Sequence, residues 1–299
     1  MHAPLIPQAL RLAGWLLWPL LALALWHLWR RRGRSGLGWL LLGALLVLAW
    51  AWFVEPQRIV LRQTTLHGTG LRADVALVSD LHLGAYKDTA FLRRLVARLD
   101  ALPVDAVLVA GDLTYAPSDR DQAGLQALLA PLGGIRHPVY AVLGNHDQQH
   151  PGPDIDRPLR AALAALGVQV IEGRRVPMRG GWMLAGLGDR WAGKDDPRFL
   201  PVPAPLPTLV LAHNPDSASR LSPAQARLLL AGHTHGGQLR IPWLYRRVLP
   251  SAYGFDRGEQ WLTTPRGRVR VFTTTGTGET GLPLRLFDPP AIDLLHLRP

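Results

Sequence analysis

Residues 12–29 and residues 37–54 are two runs of 18 residues without a charged side chain, separated by Arg30-Arg31-Arg32-Gly33-Arg34. As a helix, each run is about 27 Å long, close to the hydrocarbon thickness of a bilayer. Neither run has the polar face that a helix pair on a soluble protein would show. A cleaved leader is also a poor match, because only Arg11 precedes the first run and a second full-length run follows. Seven of the eleven tryptophans precede residue 55, and Trp26, Trp29, Trp39, Trp50 and Trp52 lie toward the ends of the runs, where interfacial aromatics belong. Gly14 and Pro19 are tolerated in a span. Residues 1–55 are therefore expected to form a transmembrane hairpin. Short loops rich in Arg stay cytoplasmic, so the chain after residue 55 is expected on the outer, periplasmic side of the cytoplasmic membrane.

Charge and cysteine content narrow the rest. The 299 residues carry a net charge of +11 and no cysteine, which excludes disulfides and thiolate metal sites. A basic balance suits an anionic surface, either phospholipid or nucleic acid. No helix-turn-helix, zinc-finger or base-stacking motif is present, which leaves nucleic acid without a specific signal. Membrane lipids are the expected partner, and nothing in the sequence indicates a protein partner.

Residues 56–72 read as an exposed connector, and residues 73–299 as one domain. Short apolar runs at residues 75–79, 106–110, 139–143, 209–212 and 228–231 have the length and composition of buried strands. Residues 89–102 and 122–132 have helical periodicity. Residues 268–273 and 291–297 look like further strands in a final third with fewer helices. Strand–loop–helix alternation predicts an α/β sheet covered on both faces.

Each apolar strand is followed by side chains that bind metals: Asp80-Leu81-His82, Gly111-Asp112, Gly144-Asn145-His146-Asp147, His213-Asn214 and Gly232-His233-Thr234-His235. Open α/β sheets place ligands at the carboxyl ends of their strands. Asp80 and His82 are two apart, as are His233 and His235, so on extended backbone each pair would face one side and reach one ion. Any single stretch is an ordinary turn, but five of the eleven histidines fall in these stretches. His150 lies close enough to the third stretch to touch a substrate, and Asp189, in Gly-Leu-Gly-Asp, reads as a turn residue near the site entrance.

In this order the motifs resemble the calcineurin-like metallophosphoesterases over residues 73–299. The resemblance implies a four-layer αββα sandwich with a dinuclear metal site, here behind two transmembrane helices. It implies Asp80, His82 and His235 as ligands of one ion, Asn145, His213 and His233 as ligands of the other, and Asp112 as the bridge. His146 matches the catalytic histidine beside the leaving group and Asp147 its orienting partner. Two cations about 3.5–4 Å apart activate a water and clamp both oxygens of an in-line displacement. A nitrogen and oxygen donor set suits two divalent ions, Mn²⁺ first and Fe or Zn²⁺ next.

The segment Gly236-Gly237-Gln238-Leu239-Arg240-Ile241-Pro242-Trp243-Leu244-Tyr245-Arg246-Arg247 and the later Gly276-Thr277-Gly278 resemble the membrane-associated branch typified by the YaeI and YkuE phosphodiesterases. That implies a phosphate ester that is lipid-linked or belongs to the cell envelope. Arg240, Trp243, Tyr245 and Arg246 mix charge with aromatic surface as a substrate rim would. The soluble UDP-diacylglucosamine hydrolases carry Arg where this chain has His146. Alternatives are a UDP-2,3-diacylglucosamine-type pyrophosphate hydrolase, a nucleotide or nucleic-acid phosphodiesterase, and a non-catalytic membrane adaptor.

Overall fold

The computed structural model describes residues 5–148 and 154–299. The chain begins with α1 (Leu5–Ala13), α2 (Leu17–Arg30) and α3 (Gly36–Ala49). Two continuous helical stretches, Ala9–Arg30 and Gly36–Gln57, are long and apolar enough to cross a membrane. They pack antiparallel through Leu21, Leu28 and Leu42, with Ala24, Leu45 and Ala49 alongside. The arginine run forms the turn, and the Ser35 hydroxyl caps α3 by accepting the Gly38 N–H at 3.1 Å. Most of the remaining surface is exposed leucine and tryptophan, as lipid-facing helices require.

The rest of the chain runs β1 (Val60–Leu66), β2 (Ala73–Val78), β3 (Leu83–Gly84), α4 (Thr89–Asp100), β4 (Ala106–Ala110), β5 (Thr114–Tyr115), α5 (Gln122–Leu129), β6 (Val139–Val142), α6 (Asp156–Ala165), β7 (Gln169–Val170), β8 (Arg175–Met178), β9 (Trp182–Gly186), β10 (Thr208–Leu211), β11 (Leu228–Ala231), α7 (Tyr245–Val248), β12 (Gly258–Thr264), β13 (Gly267–Thr273) and β14 (Ala291–Leu297). One sheet has the order β1-β14-β2-β4-β6-β7 and the other β12-β13-β11-β10-β9-β8. The two pack face to face. Val75, Leu77, Leu108 and Val142 of the first meet Leu184, Leu211, Leu230 and Phe272 of the second. Alternate residues of the same strands, Ala76, Val78, Val107 and Val109, turn outward onto α4, α5 and α6. Burial on both faces explains why these strands read as unbroken apolar runs. The outer face of the second sheet is covered by the 3₁₀ turn Pro215–Arg220 and by loops carrying Leu200, Leu221 and Phe255. The αββα sandwich thus has a thin fourth layer. The second periodic segment also ends early: α5 stops at Leu129 and continues as the 3₁₀ stretch Ala130–Gly134, with Pro131 at its start.

The connector expected over residues 56–72 contains a strand. Val60–Leu66 pairs in parallel with β14 along its full length. Its alternating exposure marks an edge strand with one covered face, and its polar residues Arg62, Gln63, Thr64 and Thr65 disguise it in sequence.

The hairpin is bonded to the domain rather than tethered beside it. Its end, Trp50–Val54, is π-helical. In that register Ala51 would accept from Pro56, which has no N–H. The Ala51 carbonyl instead accepts the Arg285 N–H at 2.9 Å. The Glu55 carboxylate accepts the Asp288 N–H at 2.6 Å and the Trp50 indole N–H at 2.9 Å. Lys87, one of the two lysines in the chain, is buried; its ammonium donates to the Pro56 carbonyl and pairs with Glu279 at 3.0 Å. Removing one partner of a buried pair leaves the other charge stranded. Lys87→Met is expected to destabilise the domain by about 3–5 kcal/mol, read as a lowered Tm for the full chain. An unchanged Tm would mean that Arg285, 3.4 Å from Glu279, suffices alone.

Candidate metal centre

Asp80 and His82 follow β2, Asp112 follows β4, and Asn145 and His146 follow β6; these three strands are parallel neighbours. His213 follows β10, and His233 and His235 follow β11, again a parallel pair. All five loops therefore leave the same edge of the sandwich, at the carboxyl ends of both sheets.

The two carboxylates are held alike. Asp80 accepts the Ser79 hydroxyl at 2.5 Å and the His233 N–H at 3.0 Å through Oδ2. Its Oδ1 lies 3.4 Å from His235 Nε2 and 3.7 Å from His82 Nε2. Asp112 accepts the His146 N–H at 2.9 Å through Oδ1, while its Oδ2 lies 3.3 Å from both His82 Nε2 and His213 Nε2. The histidines are oriented by backbone carbonyls: His213 Nδ1 lies 2.8 Å from the Ala110 oxygen and His235 Nδ1 lies 3.2 Å from the Gly278 oxygen. Each therefore presents Nε2 to the centre. His213 Nε2 is 3.1 Å from Asn145 Oδ1 and 3.1 Å from His233 Nδ1.

These side chains are almost wholly buried. Among the described residues, Asp80 Oδ1, both ring nitrogens of His82 and His233 Nε2 have no hydrogen-bond partner. Buried polar atoms left without partners are costly, and a cation held among Asp80 Oδ1, His82 Nε2 and their neighbours would satisfy those that face the centre. Asp80, His82 and His235 could hold one ion, and the ligand atoms of Asp80, Asp112 and His213 converge in the same way. The electrostatics agree. Burial opposes ionisation of Asp80 and Asp112, yet the imidazoles around them keep both below the usual carboxylate range. Burial likewise opposes charge on His82 and His213, but Asp112 and Asp80 lift His82 to about 9 and His213 well above its ordinary value. Burial, with cationic neighbours, pushes His233 and His235 down to about 3. The same carboxylates that favour positive charge on His82 and His213 would favour divalent ions between them, which bind these imidazoles in the neutral form.

The family model for calcineurin-like phosphoesterases matches residues 73–237. The chain belongs to that family. It is accordingly a metal-dependent phosphoester hydrolase. Phosphodiesterase YaeI of Escherichia coli is 30% identical over 227 residues, covering 75% of this chain and 81% of YaeI. The UDP-2,3-diacylglucosamine pyrophosphatase LpxG of Chlamydia muridarum is 25% identical, covering 84% of this chain and 93% of its own. The metallophosphoesterase YkuE of Bacillus subtilis is 27% identical, with 83% and 89% covered. These relatives agree with the YaeI and YkuE branch.

Within this calcineurin-like site, several sequence expectations change. Asp80, His82, Asp112, His233 and His235 are not extended: their φ angles are 51°, 48°, 51°, 72° and 51°. Left-handed backbone costs a non-glycine residue about 1–3 kcal/mol and concentrates where function demands a geometry. The i and i+2 pairs converge through these turns, not through strand alternation. Close backbone approach completes the centre. A Cβ on Gly144 would overlap the Asp112 carboxylate, and one on Gly278 would sit 2.5 Å from His82 Cβ.

Asp147 does not orient His146. Its Oδ1 accepts the Thr114 N–H at 3.0 Å and the Thr114 hydroxyl at 2.9 Å, and its Oδ2 accepts the Leu113 and Gly144 N–H groups at 3.0 and 3.1 Å. It ties the Asp112 loop to the Asn145 loop. Burial, with Asp112 next, lifts its carboxyl to about 7 against those four donors. His146 is held by its ring neighbours, His82 and Tyr115, with centroids 4.9 and 5.0 Å away. Sequence reasoning missed Tyr115, which lies on β5 three residues after Asp112, and that proximity to the Gly-Asp stretch is its one sequence signal. Trp191 also stands over His233 at 4.5 Å between centroids. Asp189 is a turn residue, accepting the Ala192 N–H at 2.8 Å, and lies close enough to His213 to feel its charge.

The rim residues divide. Arg240 is engaged by the Gly236 carbonyl at 2.6 Å and Asp256 at 3.0 Å and lies over the Tyr245 ring, so its guanidinium is committed to the protein. Tyr245 shares Asp256 at 3.3 Å. Trp243 is 71% exposed, and the Arg246 guanidinium donates to the Tyr245 hydroxyl at 3.1 Å. His150 lies outside the described residues.

Proposed function

We propose that this chain is a membrane-anchored phosphodiesterase that hydrolyses a lipid-linked or envelope phosphate ester at a dinuclear centre, with Mn²⁺ the preferred ion. The hairpin lies in the cytoplasmic membrane and the domain of residues 73–299 on its outer face, as the arginine turn implies. Asp80, His82 and His235 hold one ion, Asn145, His213 and His233 the other. The observation that carries this reading is Asp112 Oδ2, 3.3 Å from one histidine of each set.

Bound there, two divalent ions would supply Lewis acidity and a nucleophile at neutral pH. The protein does the rest. Backbone donors fix one oxygen of each carboxylate, so the other oxygens and the imidazoles are preorganised. His146 puts a ring nitrogen within 4.8 Å of the ligand atoms of His82 and Asp112. Burial, with His82 and His213 nearby, pushes it down to about 4 despite Asp112, so it is neutral at pH 7 and offers an N–H. An anionic substrate beside it would favour the protonated form and let it protonate the leaving oxygen.

The test uses full-length protein in detergent, stripped by chelation and reloaded with Mn²⁺. About two bound ions per chain and Mn²⁺-dependent cleavage of bis-p-nitrophenyl phosphate are expected. No bound metal together with no cleavage would support an adaptor instead. A C-terminal reporter active only in the cytoplasm would reverse the sidedness. A diacylated nucleotide-sugar pyrophosphate is the second reading, favoured by the match to LpxG.

A further inference from the structure

A groove of about 590 Å³ runs between α3 and the rim of the metal site. One wall is α3, where Gly43, Ala44 and Val47 present little bulk. The other is a two-stranded plank: Leu239 and Leu286 form a parallel bridge, the Arg240 N–H donates to the Leu286 carbonyl at 2.9 Å, and Leu239, Ile241, Leu284 and Leu286 face the helix. The plank is pinned in place, because the Arg285 N–H donates to the Ala51 carbonyl at 2.9 Å. Two apolar surfaces therefore face each other and are held apart.

Three features say what fills the gap. Water needs several polar partners, and this lining has almost none to give. The groove runs beside α3 from Trp39 to Ala51, most of the length of a helix able to span a bilayer, so it lies at the depth of acyl chains. The same rim carries exposed Trp243, Val248 and Phe287, at 71%, 63% and 65%, which suit immersion in a leaflet. The plank also leads directly to the site. Leu239 follows the loop of His235, and Arg240 turns its side chain away from the groove to reach the Gly236 carbonyl at 2.6 Å.

We propose that this groove seats one acyl chain of the lipid-linked substrate and delivers its phosphate laterally from the bilayer to the metal centre. This rests on the phosphodiesterase reading above and names the path and contacts that reading lacks. The substrate enters from the membrane, not from solution, and α3 is part of the binding site as well as an anchor.

Two probes test it on the full chain. The first is a phosphatidylglycerol vesicle containing a phospholipid with a diazirine at mid-chain. Photolysis is expected to label Val47, Ile241 or Leu284, and Ala44→Phe, which fills the groove, is expected to reduce that label about tenfold. The second compares hexadecyl and methyl p-nitrophenyl phosphate in mixed micelles. Wild type is expected to prefer the long chain by about tenfold or more in kcat/KM, and the ratio should collapse toward one in Ala44→Phe. Ile241→Trp blocks the groove from the domain side and should act alike if the span variant fails to insert. Labelling spread evenly over α2 and α3, or a chain-length ratio untouched by both variants, overturns the proposal. Labelling of the groove without chain-length preference makes the occupant a structural lipid and overturns the substrate assignment. If wild type cleaves neither ester, the labelling arm still reads the groove, and it is the phosphodiesterase reading that has failed.

Discussion

Asp112→Ala is expected to abolish turnover of bis-p-nitrophenyl phosphate, lowering kcat/KM by at least about a thousandfold, the scale of losing a preorganised electrostatic contact to the transition state. Its Oδ2 lies 3.3 Å from both His82 and His213, one from each proposed set. Its Oδ1 also holds the His146 N–H at 2.9 Å. One truncation therefore removes the proposed bridge and loosens the histidine beside the leaving group. Metal content should fall below two ions per chain, and the protein should lose the rise in Tm that ions give to a folded state that binds them. Asp112→Asn keeps the shape and removes the charge. It should retain the fold and show the same loss, which separates charge from packing. A variant that kept both ions and most of its activity would sink the dinuclear assignment.

His146→Asn is expected to lower kcat by about 10²–10⁴-fold for esters with poor leaving groups, the usual contribution of a positioned acid. Metal content should stay at the wild-type value, because the His146 side chain belongs to neither proposed ligand set. The decisive readout is the leaving group. An alkoxide needs a proton and p-nitrophenolate does not, so the loss should be far larger for a dialkyl phosphate than for bis-p-nitrophenyl phosphate. Equal losses on both would make His146 a structural neighbour of Tyr115 and His82. A matching Asp147→Asn variant should instead act through stability. Its two oxygens collect four donors from the Asp112 and Asn145 loops, and an amide can accept at only one of those oxygens.

Much of the site was legible because its chemistry is carried by residue type. Asp, His and Asn after apolar strands are informative wherever the backbone goes, and the strands themselves are buried on both faces. Other features were not legible, for identifiable reasons. The edge strand Val60–Leu66 has one wet face, so its composition imitates a loop. The left-handed turns at Asp80, His82, Asp112, His233 and His235 occur at residue types that enter that region more often than most but still in a small minority of cases, so residue type does not mark them. Such turns persist only because the surrounding contacts impose them. The family resemblance implied Asp147 as the orienting partner of His146; in space its carboxylate accepts three backbone N–H groups and the Thr114 hydroxyl instead.

By itself the sequence determined the family, the candidate ligand side chains and two helices long and apolar enough to span a membrane. Those follow from side-chain chemistry and local hydropathy, which need no knowledge of long-range contact. Only the tertiary structure decided how the candidate ligands are aimed, that Gly278 closes on His82 and Tyr115 on His146, and that α3 forms one wall of an apolar groove against Leu239, Ile241, Leu284 and Leu286. Each of those depends on segments brought together from distant parts of the chain. Local periodicity carries no record of which distant surface a side chain will meet.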